Sequence, residues 1–167
     1  MEIEIRPYQK KDIPSMMRIW NETVEEGASL PQLSTLTEKQ AAEFFRDQTC
    51  TCIAADKSTG VVVGLYILHP NSVGRCSHIA NASYVVWSVM RHKGIGRQLV
   101  THSLRQTKKS GFRIMQFNAV VSTNTPARKL YDSLGFKEIG VLPEGFLTDS
   151  GEYLDIVLYY HDLSGIE

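Results

Sequence analysis

No stretch of this sequence approaches the ~20 consecutive apolar residues that a membrane-spanning helix needs. Charge of one sign is also missing. Lys plus Arg number 18, Asp plus Glu number 18, and the formal net charge is zero. That balance argues against a nucleic acid or an anionic membrane as partner, so any basic function has to be local. Cysteine is scarce: Cys50, Cys52 and Cys76 are an odd number without a repeated spacing, which makes no disulfide framework. No further ligands cluster near them, so no metal site is expected. In "TCTCIAAD" a strand-like alternation turns Cys50 and Cys52 to one face, as small buried thiols in a reducing compartment. The start "MEIEIRPYQKKD" alternates acidic and apolar residues and does not read as a signal peptide, so a cytoplasmic location is expected. There is no internal repeat, low-complexity tract or linker, and one domain over residues 1–167 is the expectation.

What the chain does have is 43% hydrophobic residues in well-marked periods. "IEIRPY" reads as a first strand. From Asp12, a plausible N-cap, Ile13, Met16, Met17 and Trp20 recur at helical spacing. "VEEGASLPQLST" breaks that helix, and Thr37 opens a second one with Gln40 at capping-box spacing. "CTCIAAD" and "VVVGLYILH", joined by Lys57–Gly60, form a hairpin signature. "HIANASYVVWSV" is long and apolar enough for a central strand. A helix runs from Gly94 to about Lys109. "FRIMQFNAVV" is a strand, and "NTPARKLYDSLGF" is a helix with Asn124 near its start and Gly135 as its stop. "FKEIGVL" and "EYLDIVLYYHDL" are two last strands around the loop "PEGFLTDSG". The order β-α-α-β-β-β-α-β-α-β-β contains one β-α-β crossover, which forces a parallel pair into a mixed sheet. The fold class is α/β (α+β).

The segment "MRHKGIGRQLV" places Gly94-x-Gly96 where a strand hands over to a helix, with Arg91, His92, Lys93 and Arg97 around it. A helix N-terminus exposes unpaired N–H groups and partial positive charge. Glycines there let a ligand come close, and a phosphate or pyrophosphate suits the site. The dinucleotide fingerprint fails, because Leu99 stands where its third glycine belongs, and the Gly-Lys-Ser/Thr of a P-loop is absent.

"RHKGIGRQLV" resembles the Arg/Gln-x-x-Gly-x-Gly/Ala pyrophosphate loop of the GNAT superfamily of acetyl-CoA-dependent N-acetyltransferases. "NTPARKLYDSLGF" resembles that family's Asn-x-x-Ala-x-x-x-Tyr-x-x-x-Gly-Phe helix, in the right order and at a fitting distance. The resemblance implies a GNAT fold: a mixed six- to seven-stranded sheet, a splayed central parallel pair and about four helices. It implies acetyl-CoA as co-substrate, its pantetheine pairing with backbone around Tyr84, Val85 and Val86 as an added strand would. The pyrophosphate would lie on the segment Arg91, His92, Lys93, Gly94, Ile95, Gly96, Arg97. Asn124 matches the asparagine that contacts the co-substrate, and Tyr131 matches the tyrosine that protonates the departing thiolate. Many relatives carry a glutamate base on the splayed strand. Here that strand, "SHIANASYVV", holds no Asp or Glu, which leaves His78, Glu25, Glu26 and Asp155 as candidates.

"YILHPNSVGRCSHIANASYVV", "GFRIMQFNAVVSTN" and "LPEGF…DSGEYLDIVLYYH" are similar to fungal acetyltransferases that detoxify proline analogues such as azetidine-2-carboxylate. In that subfamily, asparagines matching Asn81 and Asn118 line the acetyl-transfer site. An asparagine in an apolar strand needs a bonded amide, so Asn81 equally suits a bridge to sheet backbone at the splay, whereas for Asn118 the acetyl-transfer site is favoured. The acceptor pocket would be walled by Glu22 to Leu36 and by Leu142 to Gly151, where the match is weakest. The expected acceptor is a small-molecule amine, an amino acid or analogue. Phosphinothricin-like acids, a polyamine, a peptide N-terminus, or acetyl-CoA sensing without turnover stay open. A homodimer stays open too.

Overall fold

In the computed structural model, which describes residues 1–167, every expected element forms. The strands are β1 (Ile3–Pro7), β2 (Cys50–Asp56), β3 (Val62–Pro70), β4 (Ile79–Val86), β5 (Ile114–Val121), β6 (Lys137–Leu147) and β7 (Tyr153–Asp162). The helices are α1 (Ile13–Glu25), α2 (Glu38–Arg46), α3 (Ile95–Lys109) and α4 (Thr125–Ser133). One sheet holds all seven strands in the order β1-β2-β3-β4-β5-β7-β6. Only β4 and β5 run parallel, as the α3 crossover between them requires. No helix is long and apolar enough to cross a membrane.

Strand alternation splits the core into two. On one face, Tyr66, Leu68, Leu99, Leu104, Phe117 and Tyr159 pack beneath α3 and α4. On the other, Trp20, Phe45, Ile53, Leu65 and Val85 pack beneath α1 and α2. The Thr37 capping box closes as expected: Thr37 Oγ1 accepts from the Gln40 N–H at 3.3 Å, and Gln40 Oε1 accepts from the Thr37 N–H at 2.9 Å. Cys50 and Cys52 share one face, their sulfurs 3.5 Å apart, and all three thiols are free.

Three local expectations change. Asp12 precedes α1, but its side chain makes no cap bond. The Arg6 guanidinium takes both its oxygens, at 2.7 and 3.1 Å, and the Gln9 N–H donates to it at 2.7 Å. A charged fork is a stronger partner for a buried carboxylate than an N–H at the helix start. The central strand stops at Val86, because Ser88–Met90 turn into a 3₁₀ helix that leads to the glycines. The segment "PEGFL" is not a loop. It continues β6, with the register shifting between Leu142 and Phe146 and Glu144 at φ 55°. Bulging lets Pro143, which lacks an N–H, stay within the strand.

Candidate active site

The parallel pair holds together only at Ile79↔Ile114 and Ala80↔Met115, and from Asn81 onward β4 has no partner on its β5 side. Alternation decides which of its backbone groups face the gap. Ile79 C=O accepts from Asn71 N–H at 2.7 Å, Val85 pairs with Leu65, and Trp87 N–H donates to Val63 C=O at 2.9 Å. Odd-numbered residues therefore turn their backbone to β3, and Ala82, Tyr84 and Val86 turn theirs to the gap. This corrects one expectation: Tyr84 and Val86 present backbone for an added strand, whereas Val85 spends its own on β3 and buries its side chain among α1 and α2.

The gap opens into a cleft of about 870 Å³, within the ~300–1,000 Å³ usual for small-ligand sites. Its lining takes in Asn81, Tyr84, Val85, Val86, Arg91, His92, Gly94, Ile95, Gly96, Arg97, Asn118, Asn124 and Tyr131. Of the residues expected to contact the co-substrate or take part in transfer, Lys93 alone is outside it; its Nζ lies 3.5 Å from Met90 Sδ.

At the start of α3, Gly94 sits at φ 78°, a left-handed conformation that costs glycine nothing, and no side chain caps the exposed N–H groups. His92 shares the left-handed region at φ 61°. Gly96 is helical, and a Cβ there would meet only Leu130 Cδ2 at 3.6 Å. The N-terminus is thus an open donor cradle, fit for a phosphate group. Arg91 lines the cleft, and part of its guanidinium is engaged. Nη2 donates to both Glu26 oxygens at 2.8 and 2.9 Å, and Nε donates to Val86 C=O at 3.3 Å. One turn earlier on α1, the Glu22 carboxylate accepts from Ser88 Oγ at 2.6 Å and Ser88 N–H at 3.2 Å. Those bonds hold the Glu22 carboxyl below its usual range, against the opposing effect of burial. Arg97 donates to Ser133 Oγ of α4 at 2.6 Å. The basic loop is therefore braced from both sides.

Tyr131 packs against Phe117, Phe136 and Tyr159, with ring centroids 4.6, 5.5 and 5.8 Å away. Burial, and then the neighbouring Tyr159, pushes its phenol well above the usual range. No buried polar side-chain atom lacks a partner, so the hydroxyl, which bonds to no protein group, opens onto the cleft. Asn124 caps α4, accepting from Ala127 N–H at 3.3 Å, while lining the cleft. Asn81 Oδ1 accepts from the gap-facing Ala82 N–H at 2.8 Å, the bridge to strand backbone that a missing ladder invites. Asn118 lies where β5 bulges away from β7, between Phe117 and Val120. Its amide donates to Asn71 Oδ1 and accepts from Gln116 Nε2 at 3.0 Å.

Of the candidate bases, Glu26 alone lines the cleft, and Arg91 holds it. His78 and Glu25 are exposed outside it, and Asp155 accepts from the Glu144 N–H. The α1–α2 connection contributes Ala28, Ser29, Leu30 and Pro31 to the wall, as expected. Leu142 to Gly151 contribute nothing to the wall of the cleft, although Asp149 comes within 2.5 Å of where a Cβ on Gly27 would stand.

The acetyltransferase (GNAT) family profile matches residues 13–136, and the chain belongs to that family. It is an acetyl-CoA-dependent N-acetyltransferase. The N-acetyltransferase aca1 of Schizosaccharomyces pombe is 29% identical, over 88% of this chain and 78% of its own length. A GCN5-related N-acetyltransferase from Kribbella flavida is 33% identical, superposes at a TM-score of 0.88 and is matched over 96% of this chain and 97% of its own. A phosphinothricin acetyltransferase from Sinorhizobium meliloti, solved with acetyl-CoA, is 22% identical and shares the fold at a TM-score of 0.89, over 97% of this chain and 89% of its own.

Proposed function

We propose that this chain acetylates the amine of a small molecule, an amino acid or amino-acid analogue, by direct attack on acetyl-CoA. The observation that carries the reading is the splay of β4 from β5, whose free backbone ends at an uncapped helix N-terminus and a free tyrosine hydroxyl in one cleft. When bound, acetyl-CoA supplies an activated acetyl thioester. Tyr84 N–H and C=O with Val86 N–H are placed to pair with its pantetheine amides. The N–H groups from Gly94 to Arg97 are placed to take its pyrophosphate. Arg91 and Ser88 act indirectly, tying that loop to Glu26 and Glu22. Tyr131 keeps its proton because burial raises its phenol, and donates it to the departing thiolate. The amides of Asn81 and Asn118 orient the acceptor at the splay.

A second hollow of about 380 Å³ adjoins the cleft and holds neutral groups such as Gln32, Gln48 and Ser83. Its volume suits a small acceptor, and no carboxylate lines it to pair with a polyamine's second ammonium. Thiol release from acetyl-CoA is to be measured against free amino acids, proline analogues, phosphinothricin-like acids, polyamines and short peptides. Release with one small amino-acid class is the expected result. Release with peptides alone would move the acceptor to a protein. Tight acetyl-CoA binding with no release would make the chain a sensor.

A further inference from the structure

The carboxylates around the cleft are engaged: Glu26 by Arg91 and Glu22 by Ser88, while β4 itself carries none. An acceptor amine, protonated near neutral pH, still has to lose a proton before it can attack. The second hollow lies on the α1–α2 face of the sheet and shares Pro31, Asn81 and Ser83 with the cleft, so the two meet at the splayed strand. Phe44 and Gln48 line it from α2 and its C-terminal end, Pro31 and Gln32 from the α1–α2 connection, Ile67 and His69 from β3, Asn81 and Ser83 from β4. Of these, His69 is the one titratable group, and it stands directly opposite Asn81 in the β3–β4 register. Its Nδ1 lies 3.0 Å from the Pro70 carbonyl oxygen. A carbonyl only accepts, so Nδ1 carries the hydrogen and the lone pair is on Nε2.

We propose that His69 Nε2 is the proton acceptor for the attacking amine, in place of a strand carboxylate. The assignment rests on the acetyl-transfer reading above. The acceptor ammonium gives one proton to Nε2, and the neutral amine nitrogen forms a bond to the thioester carbonyl carbon. The C–S bond then breaks with its electron pair on sulfur. The thiolate takes its proton from Tyr131, the new amide nitrogen gives up its second proton to restore Tyr131, and His69 returns its proton to water. The net change is amide, free thiol and one released proton. The adjoining cleft carries the charged side chains Glu26, Arg91 and Arg97 and the imidazole of His92. None of them lines the hollow.

The test is kcat/KM at neutral pH for the parent, His69→Gln and His69→Ala, using the best amine of the panel, with acetyl-CoA affinity by calorimetry as the check on folding. His69→Gln is expected to lose about 10²-fold in kcat/KM at neutral pH, with acetyl-CoA affinity unchanged. Added imidazole is expected to restore part of the His69→Ala rate. A His69→Gln rate within about twofold of the parent, or a His69→Ala rate that imidazole does not raise, would overturn the assignment while leaving the acetyltransferase reading standing. A parent that acetylates none of the amines would instead sink that reading, and this one with it.

Discussion

Tyr131 and Gly96 separate chemistry from binding at the level of single side chains. Phenylalanine at 131 keeps the ring contacts with Phe117, Phe136 and Tyr159 and removes only the hydroxyl that opens onto the cleft. Tyr131→Phe is therefore expected to lower kcat about 10²-fold while leaving acetyl-CoA affinity within about twofold. Steady-state kinetics beside calorimetry reads both, and an unchanged kcat would remove Tyr131 from the mechanism. Gly96 gives the opposite pattern. A Cβ there meets a single side-chain atom at ordinary contact distance, and an acidic residue in the first turn of a helix is favourable. Gly96→Glu is expected to stay within about 1 kcal/mol of the parent in stability yet bind acetyl-CoA at least ~100-fold more weakly, because its carboxylate occupies the phosphate position. Wild-type affinity in that variant would overturn the loop assignment.

At the scale of elements, carboxylates act as fasteners. Glu22 and Glu26, one turn apart on α1, grip Ser88 and Arg91 of the β4–α3 connection. Asp12 fastens the start of α1 to β1 through Arg6. Burial by itself would raise the Asp12 carboxyl, but the Arg6 fork and the Gln9 N–H outweigh it and hold the group below its ordinary value of 3.8. A carboxyl depressed on folding gives stability that is complete above its unfolded value and is lost as pH falls through the lower folded one. Asp12→Asn is thus expected to cost about 2 kcal/mol at neutral pH, since Arg6 loses its charged partner. The difference from the parent should shrink as pH drops below about 4. Urea midpoints of both proteins across that range measure it. A difference that stays constant with pH would mean that the Asp12 charge is not what holds the two elements together.

For the whole molecule, the sheet is two cores back to back, and the cleft passes between them where β4 leaves β5. A ligand that bridges that gap binds the folded chain alone. Acetyl-CoA at 100 times its dissociation constant is expected to add about 2.7 kcal/mol of stability. For a chain of this size that raises the Tm by roughly 5–10 °C. Gly96→Glu should show no such shift at the same concentration. Thermal unfolding with and without acetyl-CoA decides it, and a parent without a shift would deny the cleft this ligand.

Most of this architecture was legible in the sequence because its signals are local. The capping box at Thr37–Gln40, the cap at Asn124, the strand alternations and the glycines ahead of α3 all act within a few residues, and each element formed as they imply. The β-α-β crossover then required one parallel pair in a mixed sheet. What the tertiary structure alone decided are contacts between residues distant in the chain. Arg91 reads as a phosphate ligand, and only the fold shows that Glu26, 65 residues earlier, also holds its guanidinium. Asp12 reads as a cap until Arg6 claims it. Val85 reads like its neighbours until pairing with β3 shows which backbone groups reach the gap. His69 carries no motif at all. It gains meaning only because antiparallel register sets it opposite Asn81, and because it is the one titratable side chain on the wall of the second hollow.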